Sequence, residues 1–263
     1  MSVTAASPRE LLRARMFLTA ALPMTRVVLA DDPAIGKRFA NVRATVQFVA
    51  RNEPEPVGAY LVFDEEGLRV EQGICDKPDM TLAFSSVRKL NDMLAGKTVL
   101  PKIKGLRRPG LVVKVMSLLL ALKLMLPNSK PKNADQRRLK VKLTMYMITV
   151  ALSQYNKGGD EEMMRWTGKQ PERIYQMSVE PDGPAAYLRV RAGQSKAGRG
   201  VYERRRPFVH MRFSSVDGAL AVMNKEVAFV EGVGKGYVNI EGAPEYAAAL
   251  NDFIMRVQTM LMD

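Results

Sequence analysis

A four-residue string that recurs at long range constrains this chain more than any bulk property. Phe84-Ser85-Ser86-Val87 returns 129 residues later as Phe213-Ser214-Ser215-Val216. Asp31-Asp32-Pro33 and Asp160-Glu161-Glu162 stand the same distance apart, and Ala59-Tyr60-Leu61 returns as Ala186-Tyr187-Leu188. Two long copies are not a solenoid, which stacks many short units. They predict an α+β chain of two similar domains, each a mostly antiparallel sheet with helices gathered on it.

Local signals give each copy its element order. Ser7-Pro8 opens a helix with Pro at its first position and Glu10 in its first turn, running to about residue 30 with a bend near Pro23. Residues 1–6 are read as loose, and a second short helix runs from Asp31 toward Phe39. Strands follow at 43–50, 57–63 and 68–73, separated by turn-rich connectors at 52–56 and 64–67. Residues 79–84 alternate polar and apolar, as a half-buried strand does. Ser85 or Ser86 then caps a helix that carries Val87, Leu90, Met93 and Leu94 on one face and stops at Ala95-Gly96-Lys97. An apolar helix at 111–126 closes the first copy.

In the second copy a helix covers 137–155. Residues 139–143 read as a strand on pattern alone, but they sit where the first helix sat. Strands follow at 173–179, 185–191 and 196–202, then a block from Pro207, a strand at 235–241 and a terminal helix at 244–262. The expected domains are therefore 7–127 and 137–263. A linker at 128–136 joins them, around the Pro- and Lys-rich residues 127–132.

Composition narrows the function classes. Hydrophobic content of 47% suits a packed core, and the formal charge of +13 suits either plain solubility or attraction to an anionic lipid surface or nucleic acid. The single cysteine, Cys75, excludes an intrachain disulfide and fits a reducing, cytoplasmic compartment. Arg9, Glu10, Arg13 and Arg15 interrupt any signal-peptide core. As a helix the apolar run 111–126 spans about 24 Å, short of the ~30 Å hydrocarbon layer, and reads as a core or interfacial helix.

The first copy carries Pro78-Asp79-Met80-Thr81-Leu82, then Leu94-Ala95-Gly96-Lys97, then Lys102-Ile103-Lys104-Gly105; the second carries Gly236-Tyr237-Val238-Asn239-Ile240-Glu241-Gly242. In these strings each copy resembles the sterol carrier protein type 2-like sterol-binding domain. The second copy departs by Phe208 in place of the strand Asp and by Met223-Asn224-Lys225 in place of the Ala-Gly-Lys turn. The approach from Phe to Gly is 21 residues in the first copy (84 to 105) and 29 in the second (213 to 242).

The resemblance implies roughly five strands per domain, covered by helices around an apolar tunnel. It also implies non-enzymatic binding or transfer of a sterol, fatty acyl chain or other lipid, with no cofactor. The residues chosen for that tunnel are Leu82, Phe84, Leu90, Met93, Leu94 and Ile103 in the first copy. In the second they are Met211, Phe213, Val222, Val238, Ile240, Phe253 and Val257. The 17 methionines suit a cavity that adapts to varied apolar shapes, although plain core filling accounts for any single one. The longer second copy is where a ligand is expected first.

Catalytic readings find little support in the residues. His210 is the only histidine and has no Cys or His partner for a zinc site. Asp76 beside Cys75 does not activate the thiol, and the paired serines read as helix caps. Glu231–Gly236 lacks phosphate-loop spacing and reads as a flexible turn, and 193–200 as a basic hairpin turn. Basic residues Lys102, Lys104, Arg107, Arg108 and Arg204, Arg205, Arg206 are candidates for a membrane- or partner-facing surface. Nucleic acid ranks below membrane because aromatics, only 7%, are not interleaved with the charge. The alternative is a module without a cavity whose basic surface binds nucleic acid or an acidic protein. The oligomeric state is open.

Overall fold

The structure is a computed structural model that describes residues 5–51, 55–105 and 109–262. It divides into two units, Met1–Lys123 and Leu124–Asp263. Parts of the 1–6 and 52–56 segments, and both Arg107 and Arg108, lie outside the described residues.

Unit 1 begins with α1 (Pro8–Met16), closed by a capping box: Ser7 accepts from the Glu10 amide, and the Glu10 carboxylate accepts from the Ser7 amide. The helix widens into a π turn at Phe17–Ala21 and resumes as α2 (Met24–Asp31). Pro23 explains the bend. It has no N–H to donate and its ring crowds the preceding turn, so the ladder slips to a bond from the Leu22 amide to Phe17 O. Asp32 caps α3 (Pro33–Phe39) through the amides of Ala34 and Ile35.

The sheet of unit 1 comprises β1 (Ala44–Ala50), β2 (Val57–Asp64), β3 (Gly67–Gln72), β4 (Met80–Phe84) and β5 (Lys102–Lys104), in the order β3-β2-β1-β4-β5. Only β1 and β4 run parallel; every other pairing is antiparallel. Ser86 caps α4 (Val87–Leu94) through the Lys89 amide, and α5 (Pro109–Leu122) ends in a 3₁₀ turn at Lys123–Met125.

Unit 2 repeats the plan with α6 (Ala134–Lys157), α7 (Glu161–Gly168), β6 (Arg173–Val179), β7 (Ala185–Arg191), β8 (Gln194–Arg199) and β9 (Val209–Phe213). It is completed by α8 (Val216–Met223), α9 (Phe229–Gly234), β10 (Val238–Gly242) and α10 (Pro244–Met262). The strand order β10-β9-β6-β7-β8 matches that of unit 1, again with one parallel pair, β6 with β9. The fold is thus α+β with two five-stranded mixed sheets covered by helices. Where unit 1 has its π turn, α6 runs unbroken, since Leu152 stands at the place of Pro23.

The segment around 127–132 packs within unit 2. Lys140 is buried, and its Nζ donates to the carbonyls of Leu126, Pro127 and Ser129 and to Ser129 Oγ. Burial lowers its pKa, and those four oxygens hold the ammonium.

Two local expectations change. Residues 231–234 belong to α9, and 235–236 close it, rather than forming a flexible turn. Gly236 at φ +71° ends it, with the Tyr237 amide bonded to Gly232 O and the Gly236 amide to Val233 O. The basic hairpin turn shrinks to Ala192-Gly193, both at positive φ, and 194–199 is strand β8.

The core of each unit lies between its sheet and its helices. In unit 1 Val46, Phe48, Leu61, Met80 and Leu82 share one sheet face and are fully or almost fully buried. Tyr175, Met177, Leu188, Val209 and Met211 do the same in unit 2. Each such side chain contributes about 1.5–3 kcal/mol.

Candidate functional site

The thirteen tunnel candidates fall into two sets on equivalent sheet faces. Leu82 pairs with Ile103 across β4 and β5, and Phe84 pairs with Ala50. Leu90 is fully buried on α4, which packs on β1 and β4, while Met93, Leu94 and Ile103 are half-buried. In unit 2 Met211 pairs with Ile240 and Phe213 with Val238. Phe253 and Val257 are buried on α10; Val222 and Ile240 are half-buried.

Two clefts of unit 1 open elsewhere. One, of about 400 Å³, is lined by Asn41, Val42, Arg43 and Ala44 before and at the start of β1, and by Gly110, Leu111 and Lys114 of α5. The other, of about 380 Å³, lies between α2–α3 and the β2–β3 hairpin, over Phe39 stacked on Phe63. Both are large enough for part of a small ligand. The first has an apolar floor in Val42, Ala44 and Leu111, with Arg43 and Lys114 at its rim. None of the thirteen candidates lines either cleft.

The outer face of α5 adjoins the first cleft. Val113, Met116 and Leu120 recur at helical spacing and are 70%, 41% and 62% exposed. Lys114 lies within that stretch and Lys123 follows it, and Lys102 and Lys104 are exposed on β5. In unit 2 Arg204, Arg205 and Arg206 are exposed before β9, where Arg205 pairs with Glu172 at 3.5 Å.

A polar cluster occupies the other face of the second sheet. The Ser178 hydroxyl lies 2.8 Å from His210 Nε2, and Arg212 Nε donates to His210 Nδ1 at 3.3 Å. With Nδ1 accepting, the ring carries its proton on Nε2 and donates it to Ser178, whose hydroxyl reaches toward Glu180 at 3.5 Å. This is the reverse of the polarity that activates a serine nucleophile. Burial, and then Arg212, lower the His210 pKa. Among the described residues no group of His, Cys, Asp and Glu could hold a metal ion, and no helix is long and apolar enough to cross a membrane.

Sequence reading missed three features. Gln47 and Gln176, 129 residues apart, are buried in mid-strand. Gln47 Oε1 accepts from the Cys75 amide at 2.6 Å and Gln176 Oε1 from the Tyr202 amide at 2.9 Å, so each pins the chain that follows its third strand. A polar residue repeated at the shared offset inside an apolar strand was the available signal.

The second missed feature is Lys140. The third is an aromatic stack in unit 2. Arg173 holds its guanidinium 3.9 Å over Phe208 and 4.5 Å over Tyr246, whose rings meet edge to face at 5.1 Å. Trp166 and Tyr175 extend the group, and the Tyr175 hydroxyl donates to Gln170 Oε1. Burial raises the Tyr175 pKa above its ordinary value, keeping it a neutral donor.

No family model and no curated protein matches the chain. Among solved structures it is similar to Sterol Carrier Protein 2 Like 2 from Aedes aegypti, at 19% identity over 35% of this chain and 89% of that one, with a TM-score of 0.25. It is also similar to Sterol Carrier Protein 2 from Yarrowia lipolytica, at 12% identity over 40% of this chain and 92% of that one, TM-score 0.29. A third is the stereoselective inverting sec-alkylsulfatase from Pseudomonas sp., at 12% identity over 56% of this chain and 28% of that one, TM-score 0.27.

Proposed function

We propose that the protein binds and transfers an apolar small molecule such as a sterol, fatty acyl chain or other lipid, and docks on anionic membrane surfaces through α5. The observation that carries this reading is the cleft beside α5 together with the apolar stripe on that helix. Val42, Ala44 and Leu111 offer an apolar floor, and Val113, Met116 and Leu120 face outward among lysines. An outward apolar face costs solubility unless something covers it, and a lipid surface accepts both the stripe and the cations. The motif strings of both copies support the same reading. So does the arrangement at His210, where an arginine takes the ring nitrogen that a catalytic carboxylate would hold.

Flotation with phosphatidylcholine–phosphatidylserine vesicles tests it. The wild type should float with the vesicles and lose binding as salt rises, and Leu120→Glu should weaken partitioning about tenfold. Equal partitioning of wild type and Leu120→Glu would defeat the docking surface. Failure of delipidated protein to take up fatty acid, sterol or phospholipid by native mass spectrometry would defeat lipid binding itself.

A further inference from the structure

We propose that ligand binding is confined to the first unit, because Arg173, clamped between Phe208 and Tyr246, occupies the matching site of the second. The inference rests on the reading of the protein as a lipid binder and assigns that activity to one of two duplicated sites.

The two sites correspond residue by residue. Val46 pairs with Met80 as Tyr175 pairs with Val209, which puts Ala44 and Arg173 at the same place in their sheets. Both closing helices begin with proline, at Pro109 and Pro244. Counted from those prolines, Leu111 matches Tyr246, Val115 matches Leu250 and Leu118 matches Phe253. The buried pairs Val115/Leu250 and Leu118/Phe253 coincide.

At the cleft of unit 1, Ala44 and Leu111 leave space between β1 and α5. At the matching place in unit 2 a guanidinium is packed against two rings. The rim residues differ as well: Arg43, Gly110 and Lys114 correspond to Glu172, Glu245 and Ala249, with Arg43 paired to Glu65 at 3.8 Å and Glu172 to Arg205 at 3.5 Å.

The helices agree with this division. α5 packs chiefly on α2 and α3, whereas α10 packs on α6 and directly on β9 and β10. The first unit leaves room beneath the start of its closing helix, and the second lays that helix on the sheet.

Dansyl-labelled undecanoate, followed by fluorescence titration and native mass spectrometry of the full chain, tests the inference. The wild type should bind one equivalent. Gly110→Trp should weaken uptake at least tenfold; a Cβ there meets no atom within 4 Å, so the bulk added falls on the cleft and not on the core. Arg173→Ala/Tyr246→Leu, which copies the first site into the second, should bind two equivalents. Arg173→Ala alone is the milder variant should the pair fail to fold. Two equivalents in the wild type, full uptake by Gly110→Trp, or a folded second-unit variant that stays at one equivalent would overturn the inference while leaving lipid binding intact. No uptake by the wild type would overturn the lipid reading, and the division of labour with it.

Discussion

α5 and α10 occupy the same place in two copies of one plan, yet they do different things. α10 covers its sheet and carries Phe253, Leu250 and Val257 into the core. α5 buries Leu111, Val115 and Leu118, rests mainly on other helices, and turns Val113, Met116 and Leu120 to solvent. Eight more residues separate Phe213 from Gly242 than Phe84 from Gly105, and α9 lies within that longer connection. A duplicated fold therefore keeps its sheet and frees its closing helix to specialise. The resemblance made the longer second copy the first place to look for a ligand, whereas the cleft-lining residues described above belong to the first.

The sharpest test of the shared frame is glycine. Gly105 and Gly242 end their last strands at φ +85° and +98°, and an added Cβ would lie 2.1 Å from Asp79 O and 2.0 Å from Phe208 O. Gly105→Ala and Gly242→Ala should each cost about 3–4 kcal/mol in denaturant unfolding, from the backbone clash added to the left-handed conformation. Unequal losses would show that the two frames are not equivalent.

Next in size is Leu82→Ala, expected to cost about 3 kcal/mol by the same measurement, as for any fully buried leucine. A loss below about 1 kcal/mol would place Leu82 beside a ligand-filled space, as the tunnel expectation has it. The two glutamines should then separate the units. Gln176→Leu strands the Tyr202 amide and three bonds to the carbonyls of Met177, Ala186 and Gly200, and should cost about 2–3 kcal/mol. Gln47→Leu strands the Cys75 amide and should cost about 1–2 kcal/mol. Ser86→Ala and Ser215→Ala remove matched caps and should each cost about 1 kcal/mol.

The smallest effect is a pH slope. His210 has a folded pKa below its ordinary 6.5, so the unfolded chain binds more protons near that pH. Its contribution is present above about pH 6.5 and is lost as pH falls through the folded value. Unit 2 should lose stability below that pH and His210→Gln should flatten the slope. Unit 1, with Thr81 at the matching position, should lack this term. An unchanged slope in His210→Gln would assign the pH dependence to other groups.

Much of the frame was legible because it depends on neighbours in sequence. Period-2 strands, Ser caps at residues 86 and 215 and the repeated offset are local chemistry written twice. The bend at Pro23 was legible for the same reason. Boundaries near 194–199 and 229–234 were not, since the two-residue Ala192-Gly193 turn and the backbone bonds that close α9 at Gly236 set them over short distances that pattern averages out. The burial of Lys140 was not legible because its four acceptors lie 11 to 14 residues away in a segment without periodicity.

The sequence by itself determined two copies, their element order and the glycines and caps that hold the register, because each follows from residues within a few positions of one another. Only the tertiary structure decided that Ala44 meets Leu111 across a space while Arg173 meets Phe208 and Tyr246 without one. Those partners lie tens of residues apart, and whether their side chains leave a gap or fill it is a matter of volume and angle that no periodicity records.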